Sequence, residues 1–507
     1  MKVGIVGAGP GGLVAGLLLA KEGFQVTIYE QKDRVGGRNS SIQAEGYKFD
    51  IGPTFLMMPS LLEEIFAECG RDLHDYVDLE LLNPHYKLFF GDGSSLCTSN
   101  NIEEMKESIS KLSPSDAEGF DSYVKDNNNK ISRTLPIFKR SYNNIFDLFA
   151  PENLKILPII RPFTTLWDDL GNHFDDERIK IAFTFQSKYL GMSPYTCPSF
   201  FSILSFIEYK WGIYHVTGGI NELSEAMAKL FLELGGKLEL KSEVEEIKIN
   251  DKKASELKLT NDKYKKFDEI VLNADFAYAM RKLIPNAKRR KYSDKNLDKK
   301  KYSCSTFMLY LGIDKIYDHL EHHNIFIAND YEKNLKEIED LGILSEDPSF
   351  YIQNAAITDS TLAPEGHSTL YILVPTPNLK ADIDWKENKE EFRDLIIALL
   401  KQRAGLEDIE EHIKYEKIIT PLNWKEGLQV GYGACFNLTH SLDQMLIFRP
   451  HNKFEEFSNM WLVGGGTHPG SGLPTIYESG RIVAKEIAKK YNFAHYEQEG
   501  INLEVSK

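Results

Sequence analysis

Val3-Gly4-Ile5-Val6-Gly7-Ala8-Gly9-Pro10-Gly11-Gly12-Leu13 opens the chain, and an apolar helical pattern to about Lys21, Gly23 and then Gln25-Val26-Thr27-Ile28-Tyr29-Glu30 follow. The order strand, glycine turn, helix, strand and acid predicts the first half of a dinucleotide-binding unit. Gly7 allows the tight turn, Gly9 keeps side-chain atoms away from a pyrophosphate, and Gly12 lets the helix sit close on its strand. Together with Gly11 they form the expected backbone cradle, with free N–H groups at the helix start facing the phosphate charge. Glu30 ends the second strand 18 residues after Gly12, where a carboxylate accepts hydrogen bonds from both ribose hydroxyls of an adenosine. NAD and FAD share this half of a site, so the stretch leaves the choice between them open.

At 507 residues the chain has room for two or three domains, or for one two-part body with interleaved segments. Its 60 basic and 75 acidic residues give a net charge of −15, which argues against a nucleic-acid partner. Cys69, Cys97, Cys197, Cys304 and Cys435 contain no C-x-x-C pair and suggest reduced thiols without a metal or disulfide framework. The first strand begins close to residue 1, and no run of 18 apolar residues exists. The expectation is a cytoplasmic protein with no signal peptide and no transmembrane helix.

Beyond Glu30, Arg34-Val35-Gly36-Gly37-Arg38 predicts a second close approach of backbone to an anion, with Arg38 as a fixed cation. Asp50-Ile51-Gly52-Pro53-Thr54 comes next. Residues 55–212 read as mostly helical, with a helix start at Ser113-Pro114-Ser115-Asp116 and a polar, solvated stretch at Asp126 to Asn129. Two apolar patches stand out. Ile145 to Phe149 with Leu154 to Trp167, broken by Pro151, Pro158 and Pro162, suits a core or a monotopic membrane contact. Pro198 to Ile207 reads first as buried core, and either patch could line a channel for an apolar substrate.

From Tyr214 a helix over about 220–234, the run Lys237-Leu238-Glu239-Leu240 and the strand Phe267 to Asp275 return to the dinucleotide unit. Lys288 to Lys291 and Lys299 to Lys301 predict a solvated crossing, with anionic headgroups as the alternative. Residues 303 to about 440 alternate strand and helix signals and predict a sheet covering the cofactor. His322-His323 lacks a third ligand at metal spacing, so no metal is expected. Near the end, Met460-Trp461-Leu462-Val463-Gly464-Gly465-Gly466-Thr467-His468-Pro469-Gly470-Ser471-Gly472-Leu473-Pro474 sends a buried strand into a glycine loop and a helix. Such a loop can present N–H groups to an electron-rich ring edge.

The series Gly7 to Gly12, Glu30, Gly36-Gly37-Arg38 and Asp50-x-Gly52-Pro53-Thr54 resembles the FAD-binding opening of the amine oxidase and phytoene desaturase superfamily. Gly464 to Arg481, Ala182 to Ser187 with Tyr189-Leu190-Gly191, Ala363 to Ser368 and Phe448-Arg449-Pro450 resemble the bacterial phytoene desaturases in particular. Amine oxidases of this superfamily have Gly-Asp where this chain reads Gly465-Gly466-Thr467, which argues against an amine oxidase.

The resemblance implies FAD held at Gly7, Gly9, Gly11, Gly12, Glu30, Gly37, Arg38, Pro53, Thr54, Val244, Gly465, Gly466, Thr467 and Leu473, with the Val244 backbone beside the adenine. It implies an α/β plus α+β architecture: FAD-binding parts at 1–75, 213–285 and 446–507 (the last with the C-terminal helix), a helical substrate- or membrane-contacting region at 76–212 and a substrate-binding sheet domain at 286–445. The implied reaction is desaturation of a carotenoid or isoprenoid hydrocarbon, with oxygen or a quinone as electron acceptor and a peripheral site on the membrane surface. His468 is the candidate residue beside the reaction, as polarising group or proton acceptor; a loop histidine held by backbone hydrogen bonds is the alternative. An isomerase, oxygenase or saturase of the same family remains open. So does a flavin-free lipid carrier resembling the Rab dissociation inhibitors.

Overall fold

The computed structural model describes residues 1–138, 142 and 151–493, without the side chains of 135–138, 152–154 and 189. Five parallel strands form the first sheet, in the order Met460–Leu462, Glu269–Leu272, Lys2–Val6, Gln25–Tyr29 and Lys237–Glu239. The first and second strands of the chain are neighbours, but Glu269–Leu272 adds on the opposite side of Lys2–Val6. The order therefore reverses between these two central strands, and their carboxyl ends open a crevice there.

Helix Pro10–Lys21 is buried along its whole length from Pro10 to Ala20, as its unbroken apolar sequence requires. It packs between Asn221–Glu233 and the C-terminal helix Leu473–Lys490. Close packing depends on a missing side chain: a Cβ at Gly480 would lie 2.7 Å from Gly11 O and 2.9 Å from Val14 Cβ. At its far end the C-terminal helix is tied down by buried Glu269, which accepts from Trp461 Nε1, Lys490 Nζ and Tyr491 Oη, each at 2.6 Å.

The second sheet has seven strands, in the order Ile413–Ile419, Ser305–Ile313, Ser368–Thr376, Phe350–Gln353, His323–Phe326, Lys87–Phe89 and Ser95–Cys97. Ser305–Ile313 is buried at every position, and its side chains alternate between two different cores, as pleating dictates. Phe307, Leu309 and Leu311 pack with Phe392, Ile396 and Leu400 of helix Asn388–Ala404. Met308 and Tyr310 turn the other way, toward Tyr47, Phe49 and Tyr371.

Several expectations need correction. The stretch 76–212 is not uniformly helical: Leu79–Leu81, Lys87–Phe89 and Ser95–Cys97 are strands, and the last two extend the second sheet. Short strands flanked by turns carry too few residues for a clear period-2 pattern. Asp126 to Asn129 lies inside helix Pro114–Phe138, and Asn127 is buried rather than solvated. Neighbouring Lys130 is fully buried because its Nζ pairs with Asp169 at 2.6 Å and Asp126 at 3.0 Å.

Phe200, Phe201, Ile203 and Phe206 are core residues of this helical part, while Ile145 to Phe149 lies outside the described residues. In the basic stretch, Arg289 is buried, donates to Ile284 O and Tyr292 O and pairs with Asp294; Lys291 pairs with Glu455. Among the described residues no helix is long and apolar enough to cross a membrane.

The contact at Gly480 gives a stability test. Gly480→Val should force the C-terminal helix off Pro10–Lys21 and lower unfolding stability by about 1–3 kcal/mol, read as a drop in melting temperature. An unchanged melting temperature would show that the two helices tolerate separation.

Candidate active site

The crevice at the reversal point runs into a cavity of about 450 Å³. Its polar end is walled by backbone from three remote parts of the chain. A Cβ on Gly37 would stand 3.7 Å from Gly9 Cα, and one on Gly11 would stand 3.3 Å from Gly464 N, so the opening turn, the second loop and the C-terminal loop meet here. Two helices begin at this wall, Pro10–Lys21 after Gly9 and Leu473–Lys490 after Gly472. Neither has a side-chain cap or an acidic residue in its first turn. Their terminal N–H groups and the positive ends of their dipoles therefore remain available to an anionic or electron-rich group.

Glu30 is buried and holds the turn: Oε2 accepts from Ala8 N and Oε1 from Lys32 N, both at 2.9 Å. Each oxygen keeps a lone pair, the acceptor capacity a ribose diol requires. Arg38 also lines the cavity. Its Nη1 donates to Cys435 O at 2.7 Å and its Nη2 lies 3.4 Å from Asp275 Oδ2, so the cation is fixed in place. Gly7, Gly9, Gly11, Glu30, Gly37, Arg38, Pro53, Thr54, Val244, Gly465, Gly466 and Leu473 all line this one cavity. Gly12 lies behind the wall, where a Cβ would fall 2.5 Å from Gly7 O.

Thr467 and His468 do not line it. Thr467 Oγ1 donates to Pro450 O, and the buried His468 ring packs 5.3 Å from Tyr142. The loop turns this way because buried Arg449 draws carbonyls inward, donating to Gly465 O at 2.7 Å and Thr467 O at 3.1 Å. His468, expected beside the reaction, is thus placed outside the cavity wall.

Asn273 had no role in the sequence reading. It follows the strand Glu269–Leu272, and its Nδ2 donates to Gly7 O at 3.0 Å and Gly9 O at 3.2 Å. The available signal was its position, a polar side chain at the carboxyl end of a parallel strand beside the reversal point. Tyr351 and Tyr371 were also missed, because the second sheet's pairing decides which face they occupy.

The other end of the cavity is apolar, with Phe55, Met57, Phe185, Met308, Ile325, Ile327 and Leu373 in its wall. Tyr351 Oη lies there, 2.9 Å from Thr54 Oγ1 and 2.7 Å from His323 Nδ1. Behind it His322 and His323 are buried, which holds both imidazoles well below the ordinary histidine range and hence neutral. His215 Nε2 pairs with Asp359 Oδ2 at 2.9 Å. Among the described residues no three His, Cys, Asp or Glu side chains are grouped to hold a metal ion.

A long backbone-walled cleft for a dinucleotide, continuous with an apolar chamber under a second sheet, defines a flavin-dependent oxidoreductase. The chain matches the family of flavin-containing amine oxidoreductases over residues 10–488 and belongs to it. FAD is the cofactor of this fold, and the uncapped helix starts, Glu30 and the glycine walls fit it.

Among similar proteins, a 4,4'-diapophytoene desaturase (4,4'-diapolycopene-forming) of Methylomonas sp is 44% identical, covering 96% of this chain and 95% of its own length. An all-trans-zeta-carotene desaturase of Myxococcus xanthus is 38% identical, covering 96% and 93%. A variant of putrescine oxidase shares the fold, with a TM-score of 0.64 at 16% identity and coverage of 96% and 99%.

Gly9→Val should give folded protein that no longer retains flavin, because the side chain fills the space backbone leaves for the pyrophosphate. Flavin absorbance of the purified variant, beside its circular dichroism, checks this.

Asp50 supplies a pH test. Its carboxylate accepts from Ile220 N and Asn221 N, yet burial raises its pKa to about 6, above the ordinary carboxyl value of about 4. Between about pH 4 and 6 the folded state therefore holds more protons than the unfolded chain. The Asp50 contribution is full below that window and is lost as pH rises through it. Asp50→Asn should remove this downward slope, seen as the difference between the two melting-temperature profiles.

Proposed function

We propose that the protein dehydrogenates a long apolar isoprenoid, with the C30 hydrocarbon 4,4'-diapophytoene as first substrate, so that each turnover adds one double bond to the conjugated system. The observation that carries this reading is the cavity itself, whose far wall, Lys188 apart, is aromatic and aliphatic surface. A hydrocarbon has no polar handle, so its binding must come from apolar burial and its reactivity from orientation. The diapophytoene desaturase at 44% identity over nearly the whole chain supports the substrate class.

FAD, when bound, supplies the acceptor for the hydride that leaves the substrate carbon. The chain's residues do the holding. The helix start after Gly9 would hold the pyrophosphate, Glu30 the ribose and the Val244 backbone the adenine. The helix start after Gly472, with Gly465, Gly466 and Leu473, would stabilise negative charge on the ring edge. Oxygen or a quinone is the proposed electron acceptor.

Helix Pro151–Ile160 and the turn after it form an exposed apolar ridge, with Leu157 45% and Phe163 94% exposed. Lys155 is exposed on the same helix. This ridge supports peripheral docking on the membrane in which the substrate dissolves.

Extraction of pigments after incubation with 4,4'-diapophytoene or phytoene tests the reaction. Longer-wavelength polyenes are expected from the C30 precursor, and no gain in conjugation from either would overturn the reading in favour of an isomerase, oxygenase or saturase. Colourless protein after reconstitution with FAD would instead favour a lipid carrier. Docking is checked by sedimentation with vesicles. Wild-type protein should stay bound in moderate salt because the contact is apolar, and Phe163→Glu should release it.

A further inference from the structure

Removing two hydrogens across a CH–CH bond leaves one of them as a proton on the carbon next to the oxidised one. The carbon–hydrogen bond there breaks as the double bond forms, and an apolar chamber holds few groups able to take that proton. Tyr351 is such a group. It lines the cavity among Phe55, Ile325 and Leu373, and its hydroxyl is shared between Thr54 Oγ1 at 2.9 Å and His323 Nδ1 at 2.7 Å. Tyr371 on the adjacent strand also lines the cavity, but its hydroxyl donates to Gly52 O, which cannot carry a proton onward.

Behind His323 lies a run of imidazoles leading away from the cavity. The His322 ring packs 4.4 Å from His323, and the His215 ring packs 4.8 Å from His322. His322 Nδ1 lies 2.8 Å from Thr358 Oγ1, in a half-buried segment that borders exposed Ile357. His323 Nε2 and both nitrogens of buried His85 have no hydrogen-bond partner among the described residues. Buried polar atoms of this kind are costly for a protein to keep, and a purely structural filling of the space would use apolar side chains.

Resting on the desaturation reading above, we infer that Tyr351 accepts the proton released from the substrate carbon and relays its own to His323. Tyr351 Oη takes the proton as its own hydroxyl proton passes to His323 Nδ1, so the tyrosine stays neutral throughout. His323 becomes transiently cationic. Burial disfavours that cation, so His323 gives the proton up again before the next turnover. The electron pair from the other carbon–hydrogen bond goes to the oxidant already named, which balances the step.

Two variants and two readouts test this on full-length, FAD-loaded protein. Tyr351→Phe removes the acceptor. His323→Asn keeps a hydrogen-bond acceptor for Tyr351 but cannot relay a proton. Both should retain flavin and the wild-type melting temperature while slowing anaerobic bleaching of the flavin by 4,4'-diapophytoene by about 100-fold. Nitrogen NMR of histidine-labelled protein, which needs no turnover, should show His323 Nδ1 unprotonated and accepting, with its shift moved by Tyr351→Phe.

Wild-type bleaching in His323→Asn, or a protonated His323 Nδ1, overturns the relay and leaves the reaction standing. Wild-type protein that the C30 and C40 precursors both fail to bleach overturns the reaction, and with it the purpose of the relay. Loss of flavin in both variants would assign the two residues to holding the fold and overturn the relay as well.

Discussion

One side-chain amide sits where all three cofactor-binding segments meet. Asn273 Nδ2 donates to the carbonyls of Gly7 and Gly9, and its Oδ1 lies 3.1 Å and 3.4 Å from where Cβ atoms on Gly11 and Gly464 would stand. The amide thus sets the turn of the opening loop and the distance to the C-terminal loop together. Gly12 lies against it as well, with an added Cβ only 2.7 Å from Nδ2. The glycines at this point therefore answer to two demands, the approach of a cofactor on one side and the presence of Asn273 on the other.

The same economy governs the C-terminal loop. Arg449 is fully buried and donates to the carbonyls of Leu438, Thr439, Gln444, Gly465 and Thr467. Burial without an opposing carboxylate lowers its pKa to about 9. A cation held only by carbonyls draws all five inward, those of Gly465 and Thr467 in the loop among them. Gly464 and Gly472, both at positive φ, let the backbone take the required path. The path of the loop is thus imposed from behind, by a residue that does not line the cavity.

The cofactor end was legible because glycine spacing and a strand-terminal acid leave few alternatives, and the resemblance to bacterial phytoene desaturases rested on motifs in the same order along the whole chain. The expectation for Gly7, Gly9 and Glu30 needed only the local run. Three features lay beyond that reach. The direction of the loop at Thr467 and His468 depends on Arg449, 18 residues before Thr467, so motif position alone does not tell which way their side chains turn. The strands at Lys87–Phe89 and Ser95–Cys97 are three residues each and take their identity from the sheet they join. Asp126 to Asn129 reads as a solvated stretch until the fold buries Asn127.

The second sheet shows why the substrate end resisted a local reading. Along Ser305–Ile313 and Ser368–Thr376 both faces are buried, so the sequence reads as near-continuous apolar runs and gives no clue to which residues face the cavity. Only the register does so, pairing Met308 with Leu373 and Tyr310 with Tyr371 on the cavity side. On that side His323 and Tyr351 come from neighbouring antiparallel strands. A shift of one residue in either strand would turn its side chains to the opposite core. The bond between them is therefore a property of strand pairing, and the adjacent pair His322-His323, which resembled a failed metal motif in the sequence, is better understood as the first residue of a strand and the bend residue before it. His323 turns toward Tyr351 and the cavity, while His322 turns toward Thr358 and the outside.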